Sequence, residues 1–276
     1  MPSVSDPSAA ATTGCWAASS EGEPHIVVRD LTMAYGDFVV MRDLNFTIRR
    51  GDVFIIMGGS GCGKSTLMRH MIGLNRPAKG QVLIGRDSLW ETEGDARAGL
   101  LRRLGVMYQS GALWSALTLL ENVALPLQQF TALGPAAIRE FAAYRLALVG
   151  LAGFEDYYPS QISGGMQKRA GVARAMALDP EVLFFDEPSA GLDPVSAYRL
   201  DELILELRDS LGTTMVVVTH ELDSLLSIGS NSVYLDVETR TMAAQGAPKV
   251  LLERCQDAKV QAFLTRGRQR AEERHA

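Results

Sequence analysis

Eight consecutive residues, Gly58-Gly59-Ser60-Gly61-Cys62-Gly63-Lys64-Ser65, combine a pliable backbone with one cation and one hydroxyl. Glycines let main-chain N–H groups turn inward around an anion, and a helix N-terminus just beyond adds positive potential. A lysine in that place reaches the outer phosphates of a nucleotide, and the next hydroxyl suits Mg2+. The unbroken apolar run Val53 to Met57 comes before it, as a strand buried on both faces would, and a helical pattern follows. That context argues against a chance glycine turn. Gly59, Ser60, Gly61, Cys62, Gly63, Lys64, Ser65 and Thr66 are therefore the expected nucleotide-binding set.

Two carboxylates, Asp186 and Glu187, end a second apolar run, Val182 to Phe185. A carboxylate at the end of a buried parallel strand faces the ligand edge of an α/β sheet. Asp186 is expected to hold Mg2+ and Glu187 to polarise an attacking water, with the phosphate loop on a neighbouring strand. Ser163-Gly164-Gly165 opens a helix whose first turns carry Gln167, Lys168 and Arg169, a second anion-binding helix start. His220 follows a third apolar run, Thr213 to Val218, and so sits at a strand end.

The elements that must position these residues are legible. Ile26 to Val28, Phe38 to Val40 and Leu44 to Ile48 suggest antiparallel strands with one buried face. The three apolar runs alternate with helices from about Met166 to Leu178 and from Pro194 to Leu211, which points to a mostly parallel α/β sheet. Between about Leu117 and Tyr158 the pattern turns helical, with one helix opened by Pro135 and Ile138, Phe141 and Ala142 on one face. Residues 1–24, rich in small and polar types, read as a flexible leader, and residues 247–276 as short helices ending in a charged stretch from Arg266.

The 276 residues carry a net charge of −5, which argues against a nucleic-acid binder whose affinity rests on neutralising phosphates. The 47% apolar fraction suffices for a core, and no apolar run reaches the roughly 18 residues of a membrane span. Cys15, Cys62 and Cys255 form no CxxC pair, so free thiols in a reducing compartment are expected. Whether local positive potential activates the Cys62 thiol is left open by the sequence. Cys15 lacks the basic start and apolar stretch of a lipoprotein signal.

The order of phosphate loop, Gln109, Ile162-Ser163-Gly164-Gly165-Met166, Asp186-Glu187-Pro188, Gly191-Leu192-Asp193 and His220 resembles the ATP-binding cassette of ABC transporters. The resemblance covers about residues 25 to 245. It implies a P-loop α/β core with an antiparallel β subdomain and an inserted helical subdomain over about 110–165. It implies that Tyr35 stacks on adenine and that Gln109 links Mg2+ to a membrane partner. Ser163, Gly164 and Gly165 would close over ATP bound to the opposite subunit, Asp193 would couple the two sites, and His220 would contact the γ-phosphate. The signature's fifth residue is usually Gln; here it is Met166, with Gln167 next, so a hydrogen bond from that side chain is not carried over.

Tyr108 to Trp114, Leu117 to Leu127 and Arg169 to Ala175 are further similar to the ATPase of Mla-type bacterial phospholipid transporters, although Trp114 stands where Phe is usual. That implies a homodimer on the cytoplasmic face of the bacterial inner membrane. Its partners would be an integral-membrane permease, an MCE-domain lipid-binding protein and a small STAS-domain protein. Phe263 and Leu264 would be the tail's anchors to its neighbours. The alternatives are an importer ATPase for another small solute and a soluble cassette protein acting in translation or DNA repair. The single cassette and the stretch Ser110 to Trp114 argue against the soluble one.

Overall fold

The computed structural model describes residues 15–16, 22–109 and 111–265. Two sheets form the frame. The antiparallel one contains β2 (Pro24–Tyr35) and β3 (Phe38–Arg49), with β5 (Lys79–Ile84) and β6 (Asp87–Ser88) on the other side of β2. Ile26, Val28, Leu31 and Met33 are buried while Arg29 and Asp30 are exposed, the interrupted alternation of a sheet with one wet face.

The second sheet has the order β1-β11-β10-β4-β9-β8-β7. Its centre is parallel: β4 (Val53–Gly58), β9 (Thr214–Val218), β8 (Val182–Asp186) and β7 (Leu104–Met107), with β10 (Asn231–Asp236) on the far side of β4. β4, β9 and β10 are buried at every residue; for β4 and β9 this is why the sequences read as near-continuous apolar runs rather than alternations, whereas β10 buries Asn231, Ser232 and Asp236 beside its apolar middle. β11 (Thr241–Gln245) pairs antiparallel with β10.

The helices follow from caps and breakers. α1 (Lys64–Met71) starts in the glycine loop, and α2 (Gly94–Arg102) precedes β7. α3 (Leu119–Phe130) opens on a reciprocal Thr118–Glu121 capping box, and α4 (Pro135–Leu148) opens on proline. α5 (Gly164–Ala175) is capped by Ser163 and α6 (Pro194–Leu211) by Asp193. α7 (Leu222–Ile228) and α8 (Pro248–Arg254) follow, and residues 258–265 are helical. α3 and α4 pack on each other and on α5. Among the described residues no helix is long and apolar enough to cross a membrane.

Phe46 of β3 stacks on Phe54 of β4 at 5.3 Å, which joins the two sheets through their apolar faces. A polar tie joins them at the opposite end of the strands from the glycine loop. Buried His25 lies 2.7 Å from Thr214 Oγ1 and 3.2 Å from Glu181 Oε2, and Arg103 donates to both Glu181 oxygens. The Arg103 guanidinium holds the Glu181 carboxyl down at about 2, while burial lowers His25 from its ordinary value.

Several expectations are overturned. Cys15 and Cys255 form a disulfide, so only Cys62 is a free thiol among the described residues. Sequence spacing gave no hint of it, because the pairing depends on β1 (Cys15–Trp16) lying parallel to β11 with Cys15 opposite Ala244. Residues 15–16 of the expected flexible leader are therefore a strand; the rest of that leader before Gly22 lies outside the described residues, as does the charged stretch from Arg266. Phe141 is exposed although Ile138 and Ala142 are buried, because the α4 stripe runs on through Arg145 and Leu146 and leaves position 141 at its edge. Phe263 and Leu264 are buried in this chain's own core, and the Phe263 ring packs edge-on against Tyr234 at 5.4 Å, so neither is free to anchor a neighbour. β8 is not adjacent to β4, since β9 lies between them.

Candidate nucleotide-binding site

β4 delivers the glycine loop at the C-terminal edge of the parallel strands, where α/β sheets bind ligands. Gly58 has φ +152, and a Cβ there would lie 2.6 Å from Leu235 O and 2.7 Å from Cys62 Sγ. Gly63 has φ +95, and its Cβ would press on Val40 at 3.0 Å. Only glycine fits both places. α1 begins without a side-chain cap and without an acidic residue in its first turn, so its N-terminal amides and dipole face the loop uncompensated. Lys64 is buried and donates to the carbonyls of Gly58 and Gly59, each at 3.0 Å. Cys62 is buried, and burial pushes its thiol up from the ordinary value despite Lys64 nearby.

Far along the sequence, β8 brings in the carboxylates. Ser65 donates to Asp186 Oδ1 at 2.9 Å. A hydroxyl and a carboxylate oxygen held together form a hard-oxygen pair of the type Mg2+ takes, with phosphates and waters completing its shell. Glu187 has φ +50, its N–H donates to Val218 O at 2.8 Å, and its Oε1 lies 2.8 Å from His220 Nδ1. Glu187 Oε2 is buried and has no donor among the described residues, an acceptor atom that a water molecule would satisfy.

Lys64, Ser65, Asp186, Glu187 and His220 thus stand together. Gln109, exposed just beyond β7, joins them through its carbonyl, which accepts from Lys168. Tyr35 is 55% exposed, which rules out a core role, and its hydroxyl accepts from Asn75 Nδ2 at 3.4 Å. Met33, two residues before it on β2, lies 3.4 Å from where a Cβ on Gly63 would be, which sets this strand end beside the loop. Ser163 accepts from Met166 N at 3.3 Å, and the side chain of Gln167 turns inward to Pro159 O at 2.9 Å. Asp193 Oδ1 accepts from the amides of Val195 and Ser196, and the bonds to Ser196 lower its pKa. Among the described residues Ser163 and Lys64 share no hydrogen bond. Sequence reasoning missed what Lys168 and Arg174 of α5 do; both grip the segment after β7. Helical spacing alone carries no signal for which loop a cation will meet.

Comparison with known proteins agrees with this geometry. The family described as ABC transporter matches residues 41–190. The chain is 36% identical, over 87% of its length and 89% of the relative's, to the intermembrane phospholipid transport system ATP-binding protein MlaF of Haemophilus influenzae. It is 39% identical, over 80% of its length, to a probable ribonucleotide transport ATP-binding protein, mkl, of Mycobacterium tuberculosis, and spans 63% of that protein. A dimeric ATP-binding cassette solved in a post-hydrolysis state with ADP and Pi superposes with a TM-score of 0.72 at 30% identity, covering 80% of this chain and 98% of that one. With loop, strands and carboxylates assembled as described, and a family match over more than half of its length, this chain belongs to the ABC transporter family.

Proposed function

We propose that the chain powers a bacterial phospholipid transporter from the cytoplasmic face of the inner membrane, as one half of a homodimer. The observation that carries this reading is the near full-length similarity to the Haemophilus influenzae phospholipid transport subunit, supported by the glycine loop, the Asp186–Glu187 pair and His220 standing at one strand edge. Residues 25–246 form the cassette in this reading. An integral-membrane permease, an MCE-domain lipid-binding protein and a STAS-domain protein are its partners.

Within each site, the loop amides from Gly59 to Thr66 wrap the ATP phosphates and Lys64 leaves its own loop carbonyls to neutralise them. Tyr35 stacks on the adenine. Ser65, Asp186 and Gln109 hold Mg2+, which when bound screens phosphate charge. Glu187 accepts a proton from the attacking water at Oε2, while His220 fixes the other carboxylate oxygen. Ser163, Gly164 and Gly165 meet the ATP held by the partner subunit, which accounts for their separation from Lys64 in one chain. Asp193, beside that contact, links the two sites.

The mycobacterial relative favours a second reading, a nucleotide-type solute as cargo. Purification with the native membrane partner, followed by mass spectrometry of bound protein and bound small molecules, separates the two. Co-purified phospholipid with an MCE-domain protein supports the first; a polar solute and no such protein supports the second.

A further inference from the structure

α5 does more than present Ser163. Its Lys168 side chain is buried, and its ammonium donates to the main-chain carbonyl of Gln109 and lies 3.5 Å from that of Glu187. These carbonyls belong to the ends of two neighbouring strands, β7 and β8. An ammonium has three donors and no acceptor, so a buried one is stable only among acceptors. Burial lowers the Lys168 pKa from its ordinary value, and the charge of Glu187 opposes this in part.

The backbone at both ends of this grip is unusual. Glu187 sits at φ +50, where residues with a Cβ are rarely found. Its N–H is tied to Val218 of β9, and its carbonyl faces Lys168. The conformation that aims its carboxylate is therefore held from two sides. Beyond Gln109, Gly111 and Ala112 also have positive φ, and Arg174 donates to Gly111 O at 2.9 Å and Ala112 O at 2.6 Å. Gly171 lets this segment lie flat on the helix, since a Cβ there would be 3.0 Å from Gly111 Cα.

We propose that Lys168 is a positioning residue for ATP hydrolysis, holding the main chains of Gln109 and Glu187 so that the placement of α5, with Ser163 at its head, sets the aim of the Glu187 carboxylate. This rests on the reading of Glu187 as the catalytic carboxylate. The bland alternative is a pin that only stabilises the fold. Lys168→Met keeps the apolar stem and removes the donors; Lys168→Arg keeps donors at similar reach.

The test uses the full chain with ATP and Mg2+, with rates expressed per nucleotide-binding site. Lys168→Met is expected to lower kcat by about tenfold or more, the scale of a small misplacement of a reacting group, with KM for ATP within about threefold. Lys168→Arg is expected to return most of the rate. In a Glu187→Gln background, Lys168→Met is expected to add less than about twofold, because both changes act through one carboxylate. Should Lys168→Met not fold, Lys168→Gln takes its place in the same cycle. Parental kcat in Lys168→Met, or its full factor repeated on top of Glu187→Gln, overturns the proposal. Parental turnover in Glu187→Gln alone instead overturns the reading beneath it.

Discussion

Ser65 and Asp186 are joined by a 2.9 Å hydrogen bond although β9 lies between the strands that carry their loops. α1 packs across β4, β9 and β8, so its first turn reaches over the middle strand. The strand order thus places a hydroxyl and a carboxylate, 121 residues apart in sequence, around one prospective cation. Asp186→Asn keeps the size and a hydrogen-bond acceptor for Ser65 but removes the charge. We expect Mg2+-dependent ATP hydrolysis to fall by about 10² or more, with the melting temperature of the free protein nearly unchanged. Parental activity at ordinary Mg2+ concentration would remove Asp186 from the cation site.

Glu187→Gln tests the neighbouring carboxylate. The amide preserves shape but is a poor proton acceptor at the buried Oε2 position. Hydrolysis should slow by about 10² to 10⁴, the usual worth of a positioned base, while ATP binding persists and a closed dimer accumulates on size exclusion. Wild-type turnover would mean that another group takes the proton.

The strands of this site were readable because burial on both faces leaves an unbroken apolar run, and Val53 to Met57, Val182 to Phe185 and Met215 to Val218 all have one. Pro194, with Asp193 before it, marked the start of α6, because proline suits the first helical position and aspartate caps it. The Cys15–Cys255 bridge was not readable, since a separation of 240 residues says nothing about which edge strand a two-residue segment joins. Phe263 misled for a related reason. An apolar stripe on a short terminal helix shows that something covers it, and only the fold shows that the cover is Tyr234 of the same chain. The grip of Lys168 on Gln109 is likewise tertiary.

Acidification should weaken the fold through its buried histidines. Burial lowers the pKa of His25 and of His70, whose Nδ1 lies 2.6 Å from Asn75 O. Below the unfolded value of 6.5 the unfolded chain binds protons that the folded chain does not, so stability falls as pH drops from about 7 toward the folded values. The slope is at most about 1.4 kcal/mol per pH unit for each histidine. Glu181 acts lower: its stabilisation is present above its ordinary 4.5 and is lost only as pH falls toward about 2. Urea midpoints at pH 7.5, 6.5 and 5.5 should decline in that order, and His70→Gln, which retains a donor for Asn75 O, should decline less steeply. Midpoints that do not vary with pH would show that neither histidine is held neutral.

Deleting residues 247–276 should damage the fold itself rather than an interface alone. Leu251, Val260 and Leu264 are buried in the core that backs β10 and β11, and Cys255 is bonded to Cys15 on the strand beyond β11. Lys259 adds ion pairs to Asp236 at 2.8 Å and Glu238 at 2.7 Å, at the end of β10. Removing a single buried Leu-sized side chain costs about 2–5 kcal/mol, and the loss of a native cross-link is of similar size. Together these rival the roughly 5–15 kcal/mol that hold a domain folded. The truncated chain should therefore lose near-ultraviolet circular dichroism, bind hydrophobic dyes and fail to retain ATP. A graded version avoids the ambiguity of a chain that fails to fold. Phe263→Ala, which removes the ring packed on Tyr234, should lower the unfolding free energy by about 3 kcal/mol in the isolated protein, with no partner present. A truncated chain with the parental urea midpoint, or a Phe263→Ala protein that is unaffected alone but fails to assemble with its permease, would return the tail to the role of an intersubunit contact.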